Sequence, residues 1–148
     1  LGLWNDSDID LARSWMFSAA LYLVAIVSLL RYVFQPRIMT QDKLFGAAAS
    51  YLLIGVFWAY LYAIVGFFYP QSFMIVGQPG RLVYGDALYL SITVLTSTGF
   101  GDLTPLTRAA RGLCMIEQLA GALFTAILIA RLAGVYPPRD SYIDDNAA

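Results

Sequence analysis

The chain has 148 residues, of which 59% are hydrophobic and only 13% are charged, whereas soluble domains usually carry about 25% charged residues. Too few polar residues remain to cover a water-soluble globule, so the composition predicts a membrane protein. The formal net charge of −1 offers no basic surface to a nucleic acid. The absence of histidine excludes histidine metal sites and bases, and the single cysteine, Cys114, excludes an intrachain disulfide.

Residues 1–43 are predicted to form an acidic N-terminal segment, one extra transmembrane helix and a cytoplasmic loop. Three aspartates fall between Leu1 and Leu11, so this stretch is expected to lie in water at the membrane surface. The apolar run Ser14–Phe34 is uncharged until Arg31, and about twenty helical residues at about 1.5 Å each cross a hydrocarbon core of about 30 Å. Its arginines do not recur at every third position, as a voltage-sensing helix requires, so we expect a lipid-facing peripheral helix.

The second apolar run, Leu44–Tyr69, ends before Pro70 and predicts another membrane-spanning helix. Thr40 is placed to cap the N-terminus of this helix, and Asp42 is placed to lie in its first turn. Residues 71–84 contain two glycines and a proline and are predicted to form an exposed loop.

Two more apolar segments follow the loop. Residues 86–96 are too few to cross a bilayer and too apolar to lie outside it, which predicts a re-entrant helix enclosed by protein. Leu106–Val135 is the last run long enough to span the membrane, and two prolines close it at positions 137 and 138.

A glycine motif separates these two segments. Only glycine takes positive φ freely, and a Gly-x-Gly pair in an extended segment lets several carbonyls point one way. Carbonyl oxygens in a row can replace the water around a dehydrated alkali cation. The motif reads Thr96-Ser97-Thr98-Gly99-Phe100-Gly101-Asp102.

The motif resembles the pore loop of the potassium channel family, whose filter reads T-V-G-Y-G followed by aspartate. The two glycines are identical, the other three filter positions are conservative departures, and Asp102 matches the aspartate. The resemblance extends over about Leu44–Val135, because long apolar segments flank the loop in the family's order. It implies a pore domain at residues 44–136, followed by a short polar tail at residues 137–148.

The resemblance implies an all-α membrane protein with three transmembrane helices, a re-entrant pore helix and a selectivity filter. It also implies a homotetramer in the lipid bilayer, with permeant K⁺ ions rather than a cofactor or a small-molecule substrate. Asp102 would form a ring of carboxylates at the outer mouth. The family's filter positions, which would bind K⁺ through the carbonyls of the first four, correspond here to Ser97, Thr98, Gly99, Phe100 and Gly101.

Two filter residues depart from the family pattern. Ser97 lacks the γ-methyl of the usual threonine, which is expected to loosen the innermost ion site. Phe100 replaces a tyrosine whose hydroxyl braces the filter in many relatives, and Tyr89 and Leu90 stand at the positions of its aromatic partners. Bracing would then come from packing, or from Thr98 and from Thr93 behind the filter. The residues assigned to the space behind the filter are Thr93, Thr96 and Glu117.

The last helix carries a glycine and a carboxylate at unusual positions. Gly121 matches the family's hinge glycine, and its role is either a hinge or close packing between helices. Glu117 lies one turn earlier, where a free carboxylate is unfavourable, so it is expected to be protonated or hydrogen-bonded to Thr93, Ser91 or Gln118. It either couples this helix to the filter with pH sensitivity or makes a structural hydrogen bond. The residues predicted to line the cavity and inner gate are Gly121, Ala122, Thr125, Ile129 and Ala133.

Charge distribution predicts the orientation. Positive residues favour the cytoplasm, and both the loop between the first two apolar runs and the C-terminal side carry them. This predicts a multi-pass protein of the plasma or inner membrane, with its N-terminus outside and its C-terminus in the cytoplasm. A counter-signal lies on the outer side. The cytoplasmic cluster is Arg31, Arg37, Lys43, Arg131 and Arg139, and the outer residues are Arg81, Arg108 and Arg111.

Three other classes of membrane protein match part of this sequence pattern. A non-selective cation channel of the same fold fits the replacements at the filter. Potassium transporter subunits have related loops, but four in sequence. Gly99-Phe100-Gly101-Asp102 also fits the G-x-G-D pattern of intramembrane aspartyl proteases, which need a second aspartate on a neighbouring membrane helix to share one proton. No long apolar run here contains an aspartate.

Overall fold

The structure, a computed structural model, describes residues 6–35 and 40–134. Three helices in this part are long and apolar enough to cross a membrane, as the sequence predicted, and a short helix precedes the glycine motif. The helices are α1 (Asp6–Val33), α2 (Gln41–Phe68), α3 (Tyr84–Leu95) and α4 (Arg108–Ala133), and the strands are β1 (Phe73–Ile75), β2 (Gln78–Gly80) and β3 (Leu103–Pro105).

Helix α1 begins at Asp6, eight residues before the predicted start. Residues 6–11, which were predicted to lie in water at the membrane surface, are therefore helical, and all of them except the half-buried Asp8 are exposed. Aspartates are favourable there, because the first turn of a helix carries partial positive charge, and Asp6 and Asp8 lie in it. Asp10 adds an ion pair with Arg13 at 3.2 Å. Residues 1–5 lie outside the described part of the chain.

Helix α2 begins close to the predicted position. Thr40 occupies the N-cap with extended backbone, but its side chain makes no capping hydrogen bond, and Asp42 lies in the first turn. The helix ends at Phe68, with Tyr69 as its C-cap before Pro70. Helix α1 packs mainly along α2.

The loop predicted at residues 71–84 contains two strands of a small antiparallel sheet with the order β2-β1-β3. Phe73 pairs with Gly80 on one side and with Pro105 on the other. Val76 and Gly77 form the turn between β1 and β2 with φ of 47° and 82°. The sheet therefore joins the segment before α3 to the segment that follows the glycine motif.

The core lies where α2, α3 and α4 meet. Glycines allow close approach: a Cβ at Gly55 of α2 would lie 2.8 Å from the Ile92 Cδ1 of α3, and one at Gly66 of α2 would lie 2.9 Å from the Cβ of Leu82, in the segment before α3. The fully or nearly fully buried residues of this cluster include Trp58, Tyr62, Ala63, Phe73, Leu82, Ala87, Leu90, Ala110 and Cys114.

The most crowded of these glycines is Gly121 of α4. A Cβ at this position would collide with the carbonyl oxygen of Leu95, the last residue of α3. Gly121 therefore lets α4 pack directly against the end of the short helix. In contrast, a Cβ at Gly112 of the same helix would meet open space within the described residues.

We predict opposite effects of alanine at these two glycines. Gly121→Ala should lower the free energy of unfolding by about 1–3 kcal/mol through overpacking, whereas Gly112→Ala should raise it by up to about 1 kcal/mol through better helix propensity. Thermal unfolding of both variants in the same detergent measures the difference. Equal melting temperatures would contradict close packing at Gly121.

Candidate functional site

The site begins where α3 ends. Leu95 is the last helical residue, Thr96 is the C-cap, and the chain then turns back along the helix. The N–H of Thr96 donates to Ile92 at 3.1 Å, and that of Ser97 donates to Val94 at 2.9 Å. These bonds satisfy carbonyls that the helix end leaves without internal partners.

The peptide bonds on either side of Thr98 share one acceptor. The N–H groups of Thr98 and Gly99 donate to the carbonyl oxygen of Thr93, at 2.8 and 3.2 Å. In a trans peptide the C=O points opposite to the N–H, and the described residues contain no cis peptide. The carbonyls of Ser97 and Thr98 therefore both point away from α3, on the same side of the chain.

Backbone handedness alternates through the motif. Ser97, Gly99 and Gly101 have φ of 56°, 52° and 84°, while the residues between them have negative φ. With this alternation, successive N–H groups point to one side of the backbone and successive carbonyls to the other, whereas in an ordinary strand each kind of group alternates between the two sides. Glycine accommodates positive φ without strain, and Ser97 accommodates it at a steric cost.

The threonines predicted behind the filter lie in different surroundings. The buried Thr93 hydroxyl donates to Leu90 at 2.8 Å within α3, and only its carbonyl reaches the motif. Thr96 is exposed at the N-terminal end of the motif, and its hydroxyl donates to the Ile92 carbonyl at 2.7 Å. It also lies 2.9 Å from the Thr98 hydroxyl.

The C-terminal end of the motif is held by Asp102. Its carboxylate accepts from the Tyr89 hydroxyl at 2.9 Å and from the Leu103 N–H at 3.0 Å, and its carbonyl accepts from the Val76 N–H at 2.8 Å. The Phe100 ring stacks on Tyr89 with centroids 6.2 Å apart and planes at 13°. Tyr89 thus supplies the hydroxyl brace that Phe100 lacks.

Tyr89 is kept in its donor form. Desolvation, followed by the hydrogen bond and the negative charge of Asp102, raises the pKa of this phenol above its ordinary value. The shift extends the protonated state above the ordinary tyrosine pKa of about 10, so the hydroxyl remains a donor to the carboxylate throughout the physiological pH range.

Below the motif lies an open pocket of about 370 Å³. Four of the five residues predicted to face a cavity line it, and the fifth, Ala133, is exposed at the end of α4 outside the lining. Tyr51 of α2 lines it too, and its hydroxyl donates to the Leu95 carbonyl at 3.0 Å. The predicted residues in the lining are Gly121, Ala122, Thr125 and Ile129.

Glu117 is completely buried between α2, α3 and α4. Of the three partners predicted for it, only Ser91 contacts the carboxyl, at 2.5 Å, and the second contact comes from the Tyr62 hydroxyl. The Thr93 hydroxyl is directed to its own helix, and Gln118 is exposed.

Tyr51, Tyr62 and the hydroxyl of Tyr89 were not recognised from the sequence as partners of the site. The available signal was a tyrosine within an apolar helix, because a hydroxyl in hydrocarbon needs a hydrogen-bond partner. The sequence does not indicate which atom that partner is.

Comparison with known proteins adds one match. A family model described as "Ion channel" matches residues 48–136, which include most of α2, the sheet, α3, the glycine motif and α4. Helix α1 lies outside the match. No curated protein and no solved structure matches the chain.

We predict that the Tyr89 brace makes stability depend on pH. Because the pKa of Tyr89 is raised in the folded state, its stabilisation is complete below the ordinary tyrosine pKa of about 10 and is lost as the pH rises above it. The melting temperature should therefore fall less steeply above about pH 10 in Tyr89→Phe than in the unmodified chain. The exposed Tyr69 provides a matched control, Tyr69→Phe, and identical slopes in all three proteins would contradict the brace.

Proposed function

The chain belongs to the ion channel family, and from this membership we propose that it is a potassium-selective channel that conducts K⁺ passively across the membrane. Membership in the family makes it a multi-pass membrane protein and not an enzyme, which sets aside the intramembrane protease.

The direction of the filter carbonyls carries the proposal. Ser97 and Thr98 present their carbonyls on the side away from α3, and the whole segment 96–101 is exposed there. Rows of carbonyl oxygens replace the hydration shell of K⁺ in selective filters. In this proposal the ions bind at the carbonyls of Ser97, Thr98, Gly99 and Phe100, with the Ser97 hydroxyl at the innermost site.

The assembly is proposed to be a homotetramer. One chain supplies oxygens from one side only, whereas an ion without water needs oxygens all around it. Four copies around an axis would close the ring, and the pocket below the motif would then become part of a shared cavity. The C-terminal end of α3 would direct partial negative charge toward an ion waiting in that cavity.

The proposed orientation places the N-terminus outside the cell and the C-terminus in the cytoplasm. Two of the cations counted for the cytoplasmic side meet in the structure, because Lys43 and Arg131 both donate to the carbonyl of Gln35, at 3.4 and 2.5 Å. At the opposite end, Arg81 lies 4.0 Å from Asp8 and over the Phe67 ring, so part of the outer positive charge is locally balanced. Arg37, Arg139 and the tail lie outside the described residues.

The reversal potential in planar bilayers, with K⁺ on one side and Na⁺ on the other, tests the proposal. We expect reversal near the K⁺ equilibrium potential, because the filter carbonyls substitute for the water around K⁺. Reversal near zero with clear current would overturn K⁺ selectivity and favour the non-selective cation channel. Ser97→Thr, which restores the family's residue, is the matched variant and should be at least as selective.

Asp102 provides a second prediction. A ring of carboxylates at the mouth concentrates cations, and salt screens this attraction, with a Debye length of about 10 Å at 0.1 M and about 3 Å at 1 M. Asp102→Asn keeps an acceptor for Tyr89 but removes the charge. Single-channel K⁺ conductance should therefore fall at low salt and approach the wild-type value near 1 M. An equal fractional loss at both salt concentrations would contradict the electrostatic role.

A further inference from the structure

A buried chain of polar atoms lies behind α3 and links it to both neighbouring helices. The Tyr62 hydroxyl of α2 contacts Oε2 of Glu117, and Oε1 of Glu117 lies 2.5 Å from the Ser91 hydroxyl of α3. The same Ser91 hydroxyl lies 2.7 Å from the carbonyl oxygen of Gly55 in α2. Each of the three side chains is buried to at least 99%.

The number of hydrogens available to these hydrogen bonds determines whether Glu117 is protonated. A serine hydroxyl has one hydrogen to donate, yet two oxygens lie within bonding distance of Ser91 Oγ. If Glu117 were ionised, one of these short contacts would join two oxygens with no hydrogen between them. A proton on Oε1 resolves this, because Glu117 then donates to Ser91 while Ser91 donates to Gly55.

The charges around Glu117 favour the same state. The titratable groups that face it are Tyr62 from α2 and Cys114 from its own helix, both neutral at neutral pH, and no basic side chain contacts it within the described residues. A carboxylate at membrane depth without a cation is strongly unfavourable. A neutral acid avoids that penalty and still offers one donor and one acceptor.

We propose that Glu117 is a neutral carboxylic acid at neutral pH and that its proton completes a one-way chain of donors, Tyr62 to Glu117 to Ser91 to Gly55. These hydrogen bonds fix α3 against α2 and α4. Ser91 lies two residues before Thr93, whose carbonyl orients Thr98 and Gly99. Glu117 is therefore a positioning residue for the filter. Its effect on selectivity rests on the proposed function, but its protonation does not.

Protonation can be tested at a single site. Glu117 is the only glutamate among the 148 residues, so carbon-13 placed at glutamate Cδ reports on this carboxyl in the 148-residue protein reconstituted in lipid bilayers. We expect the chemical shift of an un-ionised acid at neutral pH. In Glu117→Gln the glutamate signal disappears, so any signal that remains comes from label that has been converted to glutamine. The shift of a carboxylate would overturn the proposal, whether or not the protein conducts.

The positioning role is tested by reversal potentials of two variants. Glu117→Gln keeps a neutral group with a donor and an acceptor, so selectivity should be unchanged. Glu117→Leu removes the hydrogen bonds to Tyr62 and Ser91 and should reduce K⁺ over Na⁺ selectivity about tenfold, equivalent to about 1.4 kcal/mol. The control Gln118→Leu, at the exposed neighbouring residue, should leave selectivity unchanged.

The remaining outcomes separate the two proposals. Selectivity lost equally in Glu117→Gln and Glu117→Leu, or unchanged in both, would overturn the positioning role. If Glu117→Leu does not fold, Tyr62→Phe removes only the first donor and should give a smaller loss in the same direction, and unchanged selectivity in that variant would also overturn the role. A wild-type protein without selectivity would refute the proposed function and the positioning role but leave the protonation result standing.

Discussion

The carbonyl oxygen of Thr93 is the acceptor on which the described shape of the glycine motif depends. It receives two successive N–H groups, from Thr98 and Gly99, and the planarity of the peptide bond then directs the two preceding carbonyls outward. The helix end supplies this acceptor because its last carbonyls have no partner within the helix. The position of α3 therefore determines where the carbonyls of Ser97 and Thr98 point.

The membrane explains why so few polar contacts determine where α3 lies. Apolar packing is only weakly directional in hydrocarbon, because lipid tails are as apolar as the helix faces, whereas an unsatisfied polar atom costs several kcal/mol. Tyr51 meets the Leu95 carbonyl at the end of α3, and Ser91 meets Glu117 and Gly55 near its middle. The hydroxyls thus specify which helix surfaces meet, and the glycines specify how closely.

The sequence predicted those features that depend on neighbouring residues. The apolar runs locate the three long helices, Pro70 marks the end of α2, and the glycines mark the turn after α3. The helical start at Asp6 was missed, because acidic residues are typical both of a wet segment and of a first helical turn. The strands were missed because three residues show no alternation, and the Tyr89–Asp102 bond was missed because its partners are brought together only by the turn between them.

The sheet and α3 hold the two ends of the motif from within one chain. The Val76 N–H donates to the Asp102 carbonyl at the C-terminal end, and the Thr93 carbonyl accepts from Thr98 and Gly99 nearer the N-terminal end. Ordering a backbone costs about 1–2 kcal/mol of conformational entropy per residue. Because these hydrogen bonds lie within one chain, the motif is ordered when the subunit folds and not when subunits associate. In the proposed homotetramer, copies of this chain would then assemble as preformed parts that dock rapidly, without a slow step of mutual folding.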